Sequence, residues 1–185
     1  MYKKLIITFE GIEGSGKSTH ISFVAKYLKS KNIKFAKIRE PGGSNNSEKI
    51  RKLILKKNSN FSKTTDLLLY LAARSENIDK IIKQNYQKKI ILIDRFTDST
   101  LAYQHYGMGL NRKIIETINS FLLKKIKINF TFLNTVSEKN LHKRLNKRKN
   151  LNRYDKFKFS FYNKVQKGFI KLSKSNKKKY LIINS

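Results

Sequence analysis

LIITFEGIEGSGKST, residues 5–19, joins a short apolar run to a loop bounded by Gly11 and Gly16 and closed by Lys17, Ser18 and Thr19. This is the pattern of a P-loop. Its successive backbone N–H groups, from Gly11 through Ile12, Glu13, Gly14, Ser15 and Gly16, turn inward around a polyphosphate, and a side chain at the bounding glycines would block the approach. Beyond Ser18, the apolar residues Ile21, Val24, Ala25 and Leu28 follow the helical period. The N-terminal amides and positive dipole end of that helix therefore face the same phosphates. Lys17 has the reach to meet the β- and γ-phosphates. The Ser18 hydroxyl suits Mg²⁺, a hard cation that prefers oxygen ligands and travels with the nucleotide.

Outward from this loop, strand-like and helix-like segments alternate. Strands are expected at 5–9, 33–39, 90–93, 130–133 and 180–183, and helices at 18–30, 48–57, 64–84, 97–106, 112–123, 137–149 and 157–172. Thr64 or Thr65 is the expected cap of the third helix. The run IILI at 90–93 is apolar without interruption, as befits a strand buried on both faces. Such alternation predicts an α/β fold, a five-stranded parallel sheet with helices on both faces, and a ligand beyond the carboxyl ends of the strands. Residues 10–18, 39–43 and 94–95 all fall at such ends.

The 185 residues suit one domain. Cysteine is absent, which removes disulfides and thiolate chemistry and fits a reducing, cytoplasmic setting. Glu10 stops the first apolar run too early for a signal peptide, and nothing approaches membrane-spanning length. The formal charge of +30 would suit a polyanion partner. All but eight of the 42 basic residues are lysines, however, scattered beside abundant Asn and Ile rather than gathered in one block. We read them as a solvated surface and expect neither nucleic-acid nor membrane binding. The eight arginines are a different matter, because each offers a rigid two-pronged fork for an oxyanion.

The segments IREPGG at 38–43, YLAARSE at 70–76, IDRFTDSTLAYQ at 93–104 and an arginine-bearing stretch at 144–155 accompany the loop. With them the chain resembles the thymidylate kinase family, of the P-loop nucleoside monophosphate kinase group, from Lys4 to about Ser173. Seven of the eight arginines, all but Arg112, lie where that family's pattern has one. The resemblance implies a P-loop NTPase three-layer fold and transfer of the ATP γ-phosphoryl group to dTMP. It divides the single domain into a P-loop at 11–18, an acceptor-binding region at about 39–76 and a short lid at about 144–155. Such a transfer needs little proton chemistry, since the acceptor is already an anion and the transition state is loose and negative.

The roles that the resemblance implies follow from that charge. Lys17 and Mg²⁺, held by Ser18 and Asp94, would bind the donor phosphates together with Arg144. Arg95 would bridge donor and acceptor, and Arg148 and Arg153 would close from the lid. Asp94 would orient the metal's hydration shell or else simply hold Arg95. Glu13 would lie near the acceptor's sugar and phosphate, with Arg39, Pro41 and Arg51 lining the acceptor phosphate or its wall. For the base, Tyr70 would stack on thymine while Arg74 bonds its carbonyl edge, the two being four apart on one helix. Thr100 and Gln104 would complete that pocket, and Tyr103 would pack under the deoxyribose where a 2′-hydroxyl would clash. His20, His105 and His142 carry no partner pattern. A homodimer is implied, formed by the apolar helices before and after Asp94.

Some positions depart from the family pattern. Asn129, Asn134 and Asn152 stand where aspartates are usual, with Asp155 in place of a glutamate, and the losses are expected to loosen the lid or the metal site. Relatives add a final helix after the fifth strand, a helix that bears on the adenine side and on one sheet face. Two alternatives compete: a related P-loop kinase with another nucleotide acceptor, and a nucleic-acid-binding protein on a relic kinase scaffold. On the favoured reading, Arg95 and Tyr70 must face one cavity above the first loop.

Overall fold

The computed structural model describes residues 5–147 and 153–185. Five parallel strands form one sheet in the order β2-β3-β1-β4-β5, with β1 at Ile6–Glu10, β2 at Phe35–Arg39, β3 at Ile90–Asp94, β4 at Phe130–Thr135 and β5 at Tyr180–Asn184. The register sets Phe9 beside Asp94 on one side and Phe132 on the other. The carboxyl ends of β1 and β3 thus lie together, and the first loop leaves from the first of them.

Strand β3 is buried on both faces, and its alternation explains how. Ile90 and Leu92 join Phe9, Ile21 and Leu28 against α1 (Lys17–Ser30), while Ile91 and Ile93 join Ile6, Ile38, Ile78, Ile82 and Phe96 on the opposite face. That second face is covered by the continuation of α3 (Lys63–Asn77) and by the segment following α6 (Arg112–Leu123). Nearer β4, Leu133 packs with Tyr162, Val165 and Phe169 of α8 (Phe159–Ser175). The three layers agree with the sequence expectation. The remaining helices are α2 (Asn45–Leu55), α4 (Lys83–Asn85), α5 (Thr97–Thr100) and α7 (Glu138–Asn146).

Element bounds shift where caps or π-turns intervene. Helix α2 starts at Asn45 because the Ser44 hydroxyl accepts from the Ser47 amide. Helix α3 is capped by Ser62, which accepts from the Thr65 amide, rather than by Thr64 or Thr65. The helix expected to run to residue 84 passes through a π-helical stretch at Ile78–Ile82, and α5 continues as another at Leu101–Gly107. Such stretches leave no mark in the period of apolar residues and are frequent at functional sites. The second of them carries Tyr103 and Gln104.

Two of the asparagines noted above have definite work. Asn129 Oδ1 accepts from the Ile6 amide at 2.8 Å and its own amide donates back to the Ile6 carbonyl, tying the start of β4 to β1. The Asn134 amide contacts Nδ1 of His20 on α1, giving that histidine the partner its sequence neighbours did not announce. Asn152 lies outside the described residues.

Candidate active site

The turn from β1 into α1 is built on backbone that only glycine tolerates. Gly11 has φ +135°, and a Cβ there would stand 2.1 Å from the Asn134 carbonyl of β4. The glycine is required by the neighbouring strand as much as by an approaching phosphate. Gly16, at φ +85°, then turns the chain into the helix. Lys17 Nζ lies within the loop, donating to the carbonyls of Gly11 at 2.9 Å and Ile12 at 2.7 Å. Burial, with the nearby Arg95 guanidinium, brings its ammonium down to about 7 despite the pull of Asp94, Glu13 and Glu10.

Arg95 leaves β3 with φ +65°, an uncommon value for a residue with a side chain. Its Nη1 donates to the Gly11 carbonyl at 2.7 Å and its Nη2 to Glu13 at 3.0 Å. The guanidinium also lies 5.2 Å from the centre of the Tyr103 ring, whose hydroxyl donates to the other Glu13 oxygen. Burial works against the Glu13 charge, but Arg95 and Lys17 outweigh it and hold that carboxyl below its usual range. Arg95 is thus paired with Glu13, and no bond joins it to Asp94 among the described residues. Asp94 Oδ1 is buried without a hydrogen-bond partner among the described residues.

A cavity of about 300 Å³ opens above these groups. Residues 13–18 form one end, Arg39, Pro41 and Arg51 another wall, and Tyr70, Arg74, Thr100, Tyr103 and Gln104 a third, with Asp94 and Arg95 between them. Arg95 and Tyr70 therefore share one chamber, as the sequence reading required. Thr100 Oγ1 and Gln104 Nε2 are buried there without partners among the described residues, as expected of groups that await a ligand. Tyr70 packs edge-on against Tyr154 at 6.2 Å and bonds to it through its phenol; burial pushes that phenol up.

Some residues named from sequence lie outside the chamber, and the arginines of its walls are held by partners of their own. Gly11 and Ile12 lie beneath it and Thr19 is exposed on α1. Arg144 grips the loop from outside, donating to the Gly14 carbonyl at 2.6 Å. Arg153 bonds Asp66 at the start of α3 instead of pointing into the cavity, and Arg148 lies outside the described residues. Arg39, 57% exposed, pairs with Glu48, and Arg51 donates to the Pro41 carbonyl across the cis Glu40–Pro41 peptide. Arg74 is 2% exposed and pinned from below: Nε to Glu40 at 2.9 Å, Nη1 to Asn119 at 2.7 Å and Nη2 to the Phe96 carbonyl at 2.9 Å. Three of its five N–H groups are thereby committed.

Sequence reasoning passed over Glu40, Leu55, Phe96, Ser99 and Tyr154, all of which line the cavity. Glu40 and Ser99 sit inside the segments 38–43 and 93–104, but nothing in the sequence pairs Glu40 with the buried Arg74, 34 residues away. Leu55 had none. Tyr154 was legible only as an aromatic next to the lid arginine.

Comparison with known proteins gives the family. Residues 9–185 match the family model of thymidylate kinase. This chain belongs to the thymidylate kinase family. Thymidylate kinase of Thermosipho africanus is 40% identical over 171 residues, covering 92% of this chain and 85% of the relative. That of Sulfurihydrogenibium sp. is 38% identical over 180 residues, covering 96% and 87%. The crystal structure of thymidylate kinase from Ehrlichia chaffeensis superposes with a TM-score of 0.82 at 33% identity, covering all of this chain and 92% of that one. The chain is thus an enzyme of the thymidylate kinase family, with that family's α/β fold.

Proposed function

We propose that this chain transfers the γ-phosphoryl group of ATP to the 5′-phosphate of dTMP, yielding dTDP and ADP. The observation that carries the reading is the single chamber in which the P-loop faces Tyr70, Thr100 and Gln104, with Arg95 between the two ends. In the transfer, a dTMP phosphate oxygen bonds to the γ-phosphorus as the bond to the ADP oxygen breaks. No base is needed, because the attacking oxygen is already anionic. What the site supplies is position and positive charge. Lys17 leaves its loop carbonyls for the β- and γ-phosphates. Arg95, oriented by Glu13 and by the Gly11 carbonyl, stands where the negative equatorial oxygens develop. Arg39 and Arg51 take the acceptor phosphate.

At the far end, Tyr70 stacks on the thymine while Thr100 Oγ1 and Gln104 Nε2 supply bonds to its edge. Arg74 offers its remaining N–H groups. Tyr103 underlies the sugar. The residues present also suit Mg²⁺: Asp94 Oδ1 is a buried oxygen without a partner among the described residues, and Ser18 lines the same cavity. When bound, Mg²⁺ neutralises charge shared by the β- and γ-phosphates. For Arg153 to contribute from the lid, it must exchange Asp66 for phosphate.

The test is a coupled assay with ATP, Mg²⁺ and each of dTMP, dUMP, dCMP, dAMP and thymidine. The expected result is clear preference for dTMP; preference for another acceptor would overturn the assignments of Tyr70, Arg74 and Thr100. We further propose a cytoplasmic homodimer joined through α3 and α6, where Leu68, Ile114 and Phe121 are exposed. No helix among the described residues is long and apolar enough to cross a membrane. Sedimentation of the purified chain as a monomer at micromolar concentration would refute the dimer.

A further inference from the structure

Arg95 reaches the reaction centre from a backbone that is unfavourable for it, so something must hold that backbone. The Arg95 amide continues the ladder, donating to the Phe9 carbonyl at 3.0 Å. The next amide, that of Phe96, has left the sheet and would be an orphan in a buried turn. It donates instead to Glu10 Oε1 at 2.8 Å. Glu10 is 1% exposed, and its second oxygen accepts from the Ser99 hydroxyl at 2.5 Å, while Ser99 Oγ in turn lies 3.4 Å from Arg95 Nη1. One buried carboxylate at the end of β1 thereby grips both the backbone after Arg95 and the hydroxyl beside its guanidinium.

We propose that Glu10 is the positioning residue for Arg95: it fixes the turn in which Arg95 takes its left-handed backbone and, through Ser99, the guanidinium's seat between the two nucleotides. The alternative of a purely packing role is poor, because a buried carboxylate costs more than the apolar side chain that would fill the same space. Here both of its oxygens are committed to the one turn that carries Arg95. The inference rests on the reading of Arg95 as the bridge between donor and acceptor, and the two can fail separately.

The experiment is a double-mutant cycle in turnover, using Glu10→Ala, Ser99→Ala and Arg95→Ala singly and in pairs, with KM for ATP and dTMP measured throughout. If Glu10 acts through Arg95, Glu10→Ala lowers kcat by roughly 10–100-fold with both KM values changed less than about threefold, as loss of an interaction made in the transition state should. In the Arg95→Ala background the same change then costs less than about twofold, because the group it positions is gone. Glu10→Gln, which keeps an acceptor for the Phe96 amide, recovers most of kcat. Equal losses from Glu10→Ala with and without Arg95 would overturn the proposal, as would an unaltered kcat. Should Glu10→Ala not fold, the Ser99→Ala cycle decides: a kcat loss that disappears without Arg95 supports the relay, and an additive or absent loss refutes it. If Arg95→Ala alone leaves turnover unchanged, the bridging role fails instead, whatever Glu10 does.

Discussion

Ser185 Oγ donates to the carbonyl of Ser15 at 2.9 Å, tying the end of the fifth strand's chain to the outer wall of the P-loop. Arg144 Nη1 meets both sides of this tie, at 2.6 Å from the Gly14 carbonyl and 3.0 Å from Ser185 Oγ. The loop's inner face must keep its N–H groups convergent, and these bonds hold the carbonyls of Gly14 and Ser15 outward. Arg144→Ala should therefore raise KM for ATP by roughly 5–30-fold with a smaller effect on kcat, the equivalent of ~1–2 kcal/mol for a charged hydrogen bond. An ATP KM equal to wild type would show that the loop holds its shape without the clamp.

Lys17 gives a pH prediction. Its folded ammonium titrates at about 7 against an ordinary 10.5, so between those values the unfolded chain binds more protons and stability rises with pH. Nucleotide reverses the sense, because the triphosphate favours the ammonium. Above pH 7, ATP binding should take up close to one proton, and affinity should fall with rising pH by at most about tenfold per unit. Calorimetry at pH 8 in two buffers of different ionisation enthalpy reads the uptake directly. Identical heats in both would mean that Lys17 is already charged.

The fold was legible because its signals are local. The apolar run at 90–93, the helical period after Ser18 and the glycines of the first loop each declare an element without help from elsewhere, and the strand order of a parallel sheet follows from few options. The composition of the site was legible in the same way, through short segments at strand ends. What escaped were bonds between segments distant in sequence. Nothing near Arg74 announces Glu40 or Asn119, nothing near Arg153 announces Asp66, and no period predicts the π-helical stretch that carries Tyr103. Arg95 was read with its neighbour Asp94, yet its partner is Glu13, 82 residues away.

The Asp66 partnership makes a separate prediction. Asp66 accepts from Tyr154 Oη at 2.6 Å and from Arg153, bringing the far side of the lid to the first turn of α3. Tyr154 in turn packs edge-on against Tyr70 and Tyr103, at 6.2 and 6.0 Å. Asp66→Ala removes the buried carboxylate that accepts from both the Tyr154 phenol and the Arg153 guanidinium, a cost of about 2–3 kcal/mol. For a chain of this size, Tm should fall by roughly 4–12 °C. KM for dTMP should rise more than KM for ATP, since Tyr154 borders the acceptor end. Equal effects on the two substrates would place Asp66 outside acceptor binding.

The Arg74–Glu40 pair is the most buried ion pair among the described residues, with side chains 2% and 4% exposed. Such a pair is weak evidence for stability as a unit, yet removing one member is costly because the other charge is left in a medium that solvates it poorly. Glu40→Ala should destabilise the fold by about 3–5 kcal/mol. The guanidinium would lose its Nε acceptor while still tethered to Asn119 and to the Phe96 carbonyl. Arg74→Met alone should be comparably harmful, because it strands the Glu40 carboxylate, which among the described residues is held otherwise only by Asn77. Glu40→Ala combined with Arg74→Met removes both charges, and its loss should be smaller than the sum of the single losses by ~1–3 kcal/mol, measured by urea unfolding. The double variant should also bind dTMP weakly even where it is folded, because Arg74 no longer borders the thymine pocket. Additive losses would mean that the two residues stabilise the chain independently, and that the 2.9 Å contact between them contributes nothing of its own.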